Sequence, residues 1–357
     1  MKIGIIGLPQ SGKTTIFNAL TGMSAETGIT GVPSENIASV KVPDERLDWL
    51  NEKYQPAKFS PAAIDYMDIA GAIQGETGKK EANEALNKMR ESDALLQVVR
   101  FFDNDNVLHP KDTIDPERDF EDIKTELIFS DLDIAEKRAE KLRKTVTVKG
   151  PDQQKQKNEL AVLERIIECL GEGGMISDLE LAENESKMLR GYCFLTEKPV
   201  ITMLNVDETR LKNPDSYRGF TEKHENVFIV SADVEMEISR LEDEDKAVFL
   251  EDLGIEEPAS TRLIKACYEM LGLVSFFTCG EDEVKAWTVN RGDTAVRAAS
   301  KIHSDIARGF IRAEIMAFDD LKEAGSEKEL RNKELQRLEG KEYVVKDGDI
   351  AHFKFNV

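Results

Sequence analysis

The sequence has few cysteines and no long apolar run. Its 357 residues include four cysteines, and their spacing lacks the C-x-x-C pattern of a metal or redox site: Cys169, Cys193, Cys267 and Cys279. We therefore expect reduced thiols in a cytoplasmic protein. No apolar stretch approaches the roughly 18 residues of a membrane span, and the N-terminal MKIGIIGL is too short for a signal peptide. The sequence thus predicts a protein without membrane contact.

Positive charge is also scarce. Lys plus Arg number 48 against 69 for Asp plus Glu, which gives a net charge of −21. This balance excludes a protein whose whole surface binds nucleic acid or anionic membrane. The length predicts two or three domains, because single domains usually have about 100 to 200 residues.

Short apolar runs alternate with amphipathic stretches and turn signals. This pattern predicts an α/β fold with a mostly parallel sheet and helices on both faces. The predicted strands cover residues 2–6, 64–67, 94–99, 200–204 and 227–230. We assign residues 1–116 and 191–275 to this core.

Two further segments differ from the core. Residues 117–190 are highly charged, with apolar residues at helical spacing on both sides of Gly150-Pro151, which predicts an inserted antiparallel helical hairpin. Residues 276–357 alternate short strands with Gly-containing turns around a helical pattern at residues 296–307, which predicts a small mixed α+β domain.

The hairpin tip is locally basic. Residues 137–157 contain two acidic side chains and eight basic ones: Lys137, Arg138, Lys141, Arg143, Lys144, Lys149, Lys155 and Lys157. Two interpretations remain open, an ordinary solvated helix end and a contact with a phosphate backbone, where each neutralised phosphate releases counterions.

A phosphate-binding motif begins at residue 7. Residues 7–14 match G-x-x-x-x-G-K-[ST] between an apolar strand and a helical pattern. Its glycines let backbone N–H groups surround phosphate oxygens, Lys13 reaches the β and γ phosphates, and the Thr14 hydroxyl binds Mg²⁺. The nucleotide-binding residues predicted here are Pro9, Gln10, Ser11, Gly12, Lys13, Thr14 and Thr15.

A second motif, Asp68-Ile69-Ala70-Gly71, follows the strand at residues 64–67. Asp68 can hold Mg²⁺ through water, and the Gly71 N–H can contact the γ-phosphate. We therefore predict Thr14 and Asp68 as metal-site residues, and Lys13 and Gly71 as catalytic residues. The pair of motifs indicates the GTPase-like class of P-loop proteins.

The third motif concerns the base. Asn205-Val206-Asp207-Glu208 stands where GTPases of this class carry N-K-x-D. Val206 replaces the Lys, and Glu208 replaces the Asp, so the carboxylate is one methylene further from the backbone. The donors that the guanine-reading Asp recognises are absent from adenine, so the usual reason to prefer GTP is removed and ATP is favoured at least equally. Ser231-Ala232 fits the last base-contacting loop.

These motifs make the chain similar to the YchF or Obg-like ATPase family over almost its full length. The resemblance includes Val42-Pro43-Asp44-Glu45-Arg46-Leu47, the three nucleotide motifs, and a C-terminal part that looks like a ubiquitin-like TGS domain, with Val344-Val345-Lys346-Asp347-Gly348-Asp349 and the ending His352-Phe353-Lys354-Phe355-Asn356-Val357. It implies Mg²⁺-dependent hydrolysis of ATP in preference to GTP. It also implies association with the ribosome or its RNA, which we assign to the hairpin tip and the TGS domain.

The chain departs from the family pattern at several positions. Gln10, Ser11 and Thr14 replace the usual Asn, Val and Ser, and a gap-free alignment puts Val32, not Thr30, at the magnesium-binding Thr of switch I. Ala72 follows Gly71 where Ras-like enzymes carry a water-orienting Gln, which favours slow intrinsic hydrolysis with Gln74 as a candidate substitute.

Three functional hypotheses follow. The first is a slow ATP-hydrolysing switch that binds the ribosome. The second is a GTPase with a relaxed base site, and the third is a nucleotide-gated protein-binding module whose turnover is incidental. His109, after the strand at residues 94–99, is expected to be a solvated loop residue without a catalytic role.

Overall fold

A computed structural model of the chain describes residues 1–22, 36–69, 79–146 and 152–356. These residues form two compact units. The first contains Met1–Ser39 and Asp65–Ser260, and the second contains Val40–Ile64 and Thr261–Val357. The predicted boundaries at residues 116, 190 and 275 stay predictions. The grouping of residues 40–64 with the C-terminal unit was not predicted.

The first unit is built on a six-stranded sheet of order β2-β4-β1-β5-β6-β7. The neighbours from β4 to β7 pair in parallel, which confirms the predicted parallel core. The strands are β1 (Lys2–Ile6), β2 (Asn36–Lys41), β4 (Ala63–Asp68), β5 (Ala94–Phe101), β6 (Val200–Val206) and β7 (Val227–Val230). Strands β5 and β6 are buried almost throughout, as expected for a sheet covered on both faces.

The first unit also contains helices. They are α1 (Lys13–Thr21), α3 (Lys79–Glu91), α4 (Pro116–Thr145), α5 (Gln153–Gly171), α6 (Glu183–Leu189), α7 (Glu208–Leu211), α8 (Arg218–Thr221), α9 (Ala232–Arg240) and α10 (Asp243–Leu253), with 3₁₀ turns at Ile176–Asp178, Arg190–Tyr192 and Pro214–Ser216. Helix α11 (Ala259–Met270) begins in this unit, and most of it belongs to the second. No helix within the described ranges is long and apolar enough to cross a membrane.

Helices α4 and α5 form the predicted insertion. Asp115 caps α4 by accepting a hydrogen bond from the Arg118 N–H, and Pro116 occupies the first turn, where its missing N–H leaves no partner unsatisfied. Residues from both helices share one apolar cluster that includes Ala139, Leu163 and Ile166. The predicted break at Gly150-Pro151 lies outside the described residues.

The second unit contains a mixed sheet of order β11-β10-β12-β8-β9-β3. Its elements are α2 (Glu45–Tyr54), β3 (Lys58–Ser60), β8 (Leu273–Cys279), β9 (Glu283–Asn290), α12 (Ala295–Ile302), α13 (Ser304–Arg308), β10 (Phe310–Ala317), α14 (Phe318–Ala324), α15 (Glu327–Asn332), β11 (Arg337–Glu339) and β12 (Asp349–Phe355). The helix predicted at residues 296–307 is interrupted, because His303 has extended backbone and its side chain caps α13.

Two motifs that carried the resemblance contact each other in this unit. Asp44 caps α2 by accepting from the Arg46 N–H at 3.0 Å, and the Arg46 guanidinium donates to Asp347 at 2.7 Å. The other carboxylate oxygen of Asp347 accepts from the Ser275 N–H at 2.8 Å. The segment around Arg46 is therefore part of the C-terminal unit through a specific polar contact.

Candidate nucleotide-binding site

The phosphate-binding motif forms a tight loop between β1 and α1. Gly12 has a φ of 94°, and a Cβ atom there would lie 2.2 Å from the Asn205 amide nitrogen. A Cβ atom on Gly7 would lie 2.4 Å from the Val98 carbonyl oxygen. Only glycine fits at both positions, because no side-chain carbon tolerates these separations.

Lys13 is folded back onto this loop. Its ammonium group donates to the carbonyl oxygens of Leu8 at 2.7 Å and Gly7 at 3.0 Å. Burial lowers the pKa of Lys13 to about 8, and the negative charge of Asp68 opposes that shift. A cation placed in this way can move from the two carbonyl oxygens to a phosphate oxygen.

Thr14 and Asp68 are brought together as predicted for a metal site. The Thr14 hydroxyl donates to one Asp68 carboxylate oxygen at 2.8 Å. The other carboxylate oxygen is buried and accepts no hydrogen bond from the described part of the chain. A hydroxyl beside an unsatisfied carboxylate oxygen fits a hard divalent cation such as Mg²⁺.

Protein side chains alone do not complete this site. Within the ranges that the structure describes, no group of three or more His, Cys, Asp or Glu residues is placed to hold a metal ion. Phosphate oxygens and water would therefore have to supply the remaining ligands, as is usual for Mg²⁺ in nucleotide sites. Gly71, Ala72 and Gln74, and the switch I residues Thr30 and Val32, lie outside the described residues.

Asn205 connects the phosphate loop to the predicted base loop. Its amide nitrogen donates to the Ser11 carbonyl oxygen at 3.0 Å, and its amide oxygen accepts from the Ala232 N–H at 3.0 Å. All of these groups are buried, as is Ser231, the residue that precedes α9. The side chain thus connects the phosphate loop to the first residue of α9.

The residues that follow Asn205 have other partners. Val206 packs in an apolar cluster with Val99, Leu204 and Phe220. Asp207 caps α7 by accepting from the Arg210 N–H at 2.9 Å. Glu208 is exposed and forms an ion pair with Lys212 at 2.8 Å, so its role in base recognition stays a prediction.

A cavity of about 1100 Å³ lies at the carboxyl ends of β1, β5 and β6. Most of the predicted nucleotide-binding residues line it, namely Pro9, Gln10, Gly12, Lys13, Thr14, Thr15, Asn205, Val206 and Ala232. Ser11, Glu208 and Ser231 are not among its lining residues, and Asp233, which the sequence did not single out, is.

One side of the cavity was missed by sequence reasoning. It is formed by the β5–α4 loop, residues 102–115, which contributes Phe102, Asn104, Asn106, Val107, Leu108, His109, Pro110 and Lys111. The available signal was topological: the loop follows β5, and in parallel sheets ligands bind beyond the carboxyl ends of strands.

The expectation that His109 is solvated was wrong, and its lack of a catalytic role stays a prediction. This residue is buried, and its Nε2 lies 2.7 Å from an Asp119 carboxylate oxygen. Its Nδ1 accepts from the Lys111 N–H at 3.0 Å, so the neutral ring carries its proton on Nε2 and donates it to Asp119. Asp119 belongs to the first turn of α4. The first turn of the inserted hairpin therefore contacts His109, a residue of the cavity wall.

Ion pairs neutralise part of the positive charge that the sequence indicated at the hairpin tip. Four of the eight basic residues form ion pairs, Lys137 with Asp133, Arg138 with Glu159, Arg143 with Glu164 and Lys144 with Glu140. Among the tip residues that the structure describes, Lys141, Lys155 and Lys157 are exposed and form no ion pair. Lys149 lies outside these ranges.

A P-loop at the edge of a parallel sheet, with a Thr–Asp pair beside it, defines a nucleotide-binding protein of the GTPase-like P-loop class. The chain is 43% identical over 363 residues to the ribosome-binding ATPase YchF of Haemophilus ducreyi, and the alignment covers 100% of this chain and 99% of that protein. The chain belongs to the YchF family.

Other comparisons agree with this membership. The ribosome-binding ATPase YchF of Bacillus subtilis is 40% identical over 366 residues, with 99% of each chain covered. The structure of the Schizosaccharomyces pombe YchF GTPase matches with a TM-score of 0.85 and 33% identity, over 99% of this chain and 97% of that one. Residues 2–136 match the model "50S ribosome-binding GTPase", and residues 273–356 match YchF-GTPase_C, "Protein of unknown function (DUF933)".

Proposed function

We propose that this protein hydrolyses the β–γ bond of a nucleoside triphosphate slowly and with Mg²⁺, prefers ATP to GTP, and associates with the ribosome. The observation that carries the proposal is the cavity lined by Lys13, Thr14 and Asn205, with Asp68 hydrogen-bonded to Thr14. Relatives that match over their whole length are named ribosome-binding ATPases.

The phosphate chemistry follows from three side chains. Lys13 exchanges its two carbonyl partners for β and γ phosphate oxygens and regains a full positive charge there. Thr14 and Asp68 would hold Mg²⁺, since a hydroxyl lies beside a buried carboxylate oxygen to which no described residue donates a hydrogen bond. When bound, Mg²⁺ neutralises the charge that develops on the phosphate oxygens. The Gly71 N–H is proposed to contact the γ-phosphate.

Slow turnover is supported by the surroundings of His109. Both of its ring nitrogens are engaged, one with Asp119 and one with the Lys111 N–H. Neither nitrogen is therefore free to accept a proton from an attacking water. Fast hydrolysis would need a rearrangement of the β5–α4 loop or a group supplied by a partner.

The preference for ATP is supported by the hydrogen-bonding groups near the base loop. The Ala232 N–H already donates to Asn205, so this donor is not free for the 6-oxygen of guanine. Asp233 lines the cavity beside Ala232. A carboxylate there accepts a hydrogen bond from the 6-amino group of adenine and repels the 6-oxygen of guanine.

Ribosome association is proposed to use the exposed lysines of the hairpin tip, together with the TGS-like domain. Helix α4 has 30 residues and spans about 45 Å, from Pro116 at the end of the β5–α4 loop to Thr145 at the tip. Binding of RNA at the tip can therefore be linked to the nucleotide site through one continuous helix.

Cosedimentation with ribosomes in the presence of ATP tests this surface. Replacing the exposed Lys141, Lys155 and Lys157 with Gln should weaken binding and reduce its salt dependence. The matched control replaces the ion-paired Lys137, Arg143 and Lys144 with Gln, which should have a smaller effect. Equal effects of the two triple variants would remove the exposed lysines from the proposal.

A further inference from the structure

Arg100 is a buried cation that uses backbone carbonyl oxygens as its hydrogen-bond acceptors. It is the next-to-last residue of β5 and only 3% exposed. Its Nη2 donates to the Val107 carbonyl oxygen at 2.8 Å, its Nε to that of Phe102 at 3.3 Å, and its Nη1 to that of Gln10 at 3.5 Å. The guanidinium carbon also lies 4.4 Å from the centre of the Phe102 ring.

Burial removes water from the Arg100 guanidinium, which costs free energy unless these carbonyl oxygens keep accepting its hydrogen bonds. Burial lowers the pKa of Arg100, and the negative charges of Asp103 and Asp119 oppose that shift without reversing it. Carbonyl oxygens and an aromatic ring replace water around the cation. Because the guanidinium is planar and its donors point in fixed directions, it holds the accepting segments at defined positions.

The accepting segments lie on two different sides of the cavity. Gln10 belongs to the phosphate loop and has a φ of 61°, the left-handed region that a residue with a side chain rarely adopts. Phe102 and Val107 belong to the β5–α4 loop. One side chain therefore joins the loop that binds phosphate to the loop that faces it.

The geometry points to Arg100 as a positioning residue that fixes the separation between the phosphate loop and the β5–α4 loop. This inference rests on the proposed nucleotide binding. Both loops line the cavity, so ATP with its phosphates on the phosphate loop is proposed to contact the β5–α4 loop through its nucleoside part. A bare triphosphate needs the phosphate loop alone, so its binding depends much less on that separation.

The test compares these two ligands in an Arg100→Lys variant, which keeps the charge and loses the planar fork. Dissociation constants for magnesium ATP and magnesium tripolyphosphate are measured by calorimetry. We expect the ATP affinity to fall by about tenfold to a hundredfold, as for the loss of hydrogen bonds to a charged group, and the tripolyphosphate affinity by less than about threefold.

Arg210 provides the matched control. Its guanidinium carbon also lies over a ring, 4.7 Å from the centre of Phe101, and its hydrogen bonds go to Asp103 and Asp207 instead of the phosphate loop. Because Asp103 lies in the β5–α4 loop, an Arg210→Lys variant disturbs this loop without breaking its link to Gln10, and the affinity for each ligand should fall by less than about threefold. It controls for the loss of a stacked arginine on the neighbouring ring.

Each outcome decides the matter. An Arg100→Lys variant with unchanged ATP affinity, or with equal losses for both ligands, overturns the positioning role. A wild-type protein that binds tripolyphosphate but not ATP or GTP overturns the proposed function, and the inference with it. Selective loss of ATP binding supports both.

A measurement on the wild type keeps the inference testable if the variant does not fold. Magnesium tripolyphosphate should slow amide hydrogen exchange at residues 103–108 by up to about threefold, the same factor that limits the dependence of its affinity on Arg100, although it is too short to reach the base-binding side. Arg100 transmits this protection from Gln10 to the carbonyl oxygens of the β5–α4 loop. Unchanged exchange there, at saturating tripolyphosphate, contradicts the link.

Discussion

Raising the pH from 7 to 9 should weaken ATP binding, because Lys13 must be charged when it holds phosphate. In the ligand-free protein the pKa of Lys13 is about 8, since burial disfavours the ammonium ion. Bound phosphate oxygens favour the ammonium ion and raise the pKa again. ATP binding is therefore coupled to the uptake of a proton once the pH exceeds about 8.

The size of the effect follows from the titration. At pH 7 about nine-tenths of Lys13 is already protonated, whereas at pH 9 about one-tenth is, so the affinity should fall by roughly tenfold between these values. The stability of the ligand-free protein changes in the opposite direction. In the unfolded chain Lys13 keeps its proton up to its ordinary pKa of 10.5. Between about pH 8 and 10.5 the unfolded state therefore binds more protons than the folded state, and the free energy of unfolding rises with pH, by about 3 kcal/mol at most.

Calorimetry in buffers with different ionisation enthalpies measures both the affinity and the proton uptake. A Lys13→Arg variant is the control, because a guanidinium does not titrate below pH 12 and its ATP affinity should not vary over this range. The terminal phosphate adds little, since a phosphate ester has lost its second proton well below pH 8. A wild-type affinity that is the same at pH 7 and 9, without proton uptake, would refute the assignment of Lys13 to phosphate binding.

Three substitutions test other parts of the site. Thr14→Ala should reduce the gain in ATP affinity from Mg²⁺ by about tenfold, measured by calorimetry with and without chelator, whereas Thr14→Ser should keep it. Asn205→Ala leaves two buried backbone groups unpaired and should lower the free energy of unfolding by about 1–3 kcal/mol for each, measured by urea denaturation; an unchanged midpoint would contradict the bridge to Ala232. Asp233→Asn should lower the ratio of ATP to GTP affinity by about tenfold, since an amide can donate to guanine; an unchanged ratio removes Asp233 from base selection.

Local sequence signals predicted the phosphate side of the site. The motif that ends in Lys13-Thr14 is contiguous, so strand, loop and helix are specified within a few residues. Asp68 could be placed because it ends a predicted buried strand, and ligands bind beyond the carboxyl ends of parallel strands. Asn205 was recognised by its place after β6, although its hydrogen bonds to both loops could not be read from the sequence.

The opposite side of the cavity could not be predicted in the same way. Asn104 and Asn106 have the composition of an ordinary turn, and their place at the cavity depends on the order of strands in the sheet. His109 was misjudged because its partner, Asp119, is ten residues away in the next helix. Burial of a loop histidine depends on such tertiary contacts, which residue type does not show.

Two further differences between the predictions from sequence and the structure also come from tertiary contacts. Residues 40–64 join the C-terminal unit through pairs such as Arg46 with Asp347, which are about 300 residues apart in the chain. Two of the four ion pairs at the hairpin tip also join different helices, Arg138 with Glu159 and Arg143 with Glu164, whereas the other two lie within α4. A count of charges along the sequence therefore overstated the positive charge that a partner would meet.

Nucleotide preference is the most direct test of the central claim. Dissociation constants of the magnesium complexes of ATP and GTP, measured by calorimetry on the wild-type protein at pH 7, compare the two bases under one set of conditions. We expect ATP to bind more tightly, because the Ala232 N–H is engaged with Asn205 and Asp233 faces the cavity. Tighter binding of GTP would contradict this account and identify the protein as a GTPase with a relaxed base site.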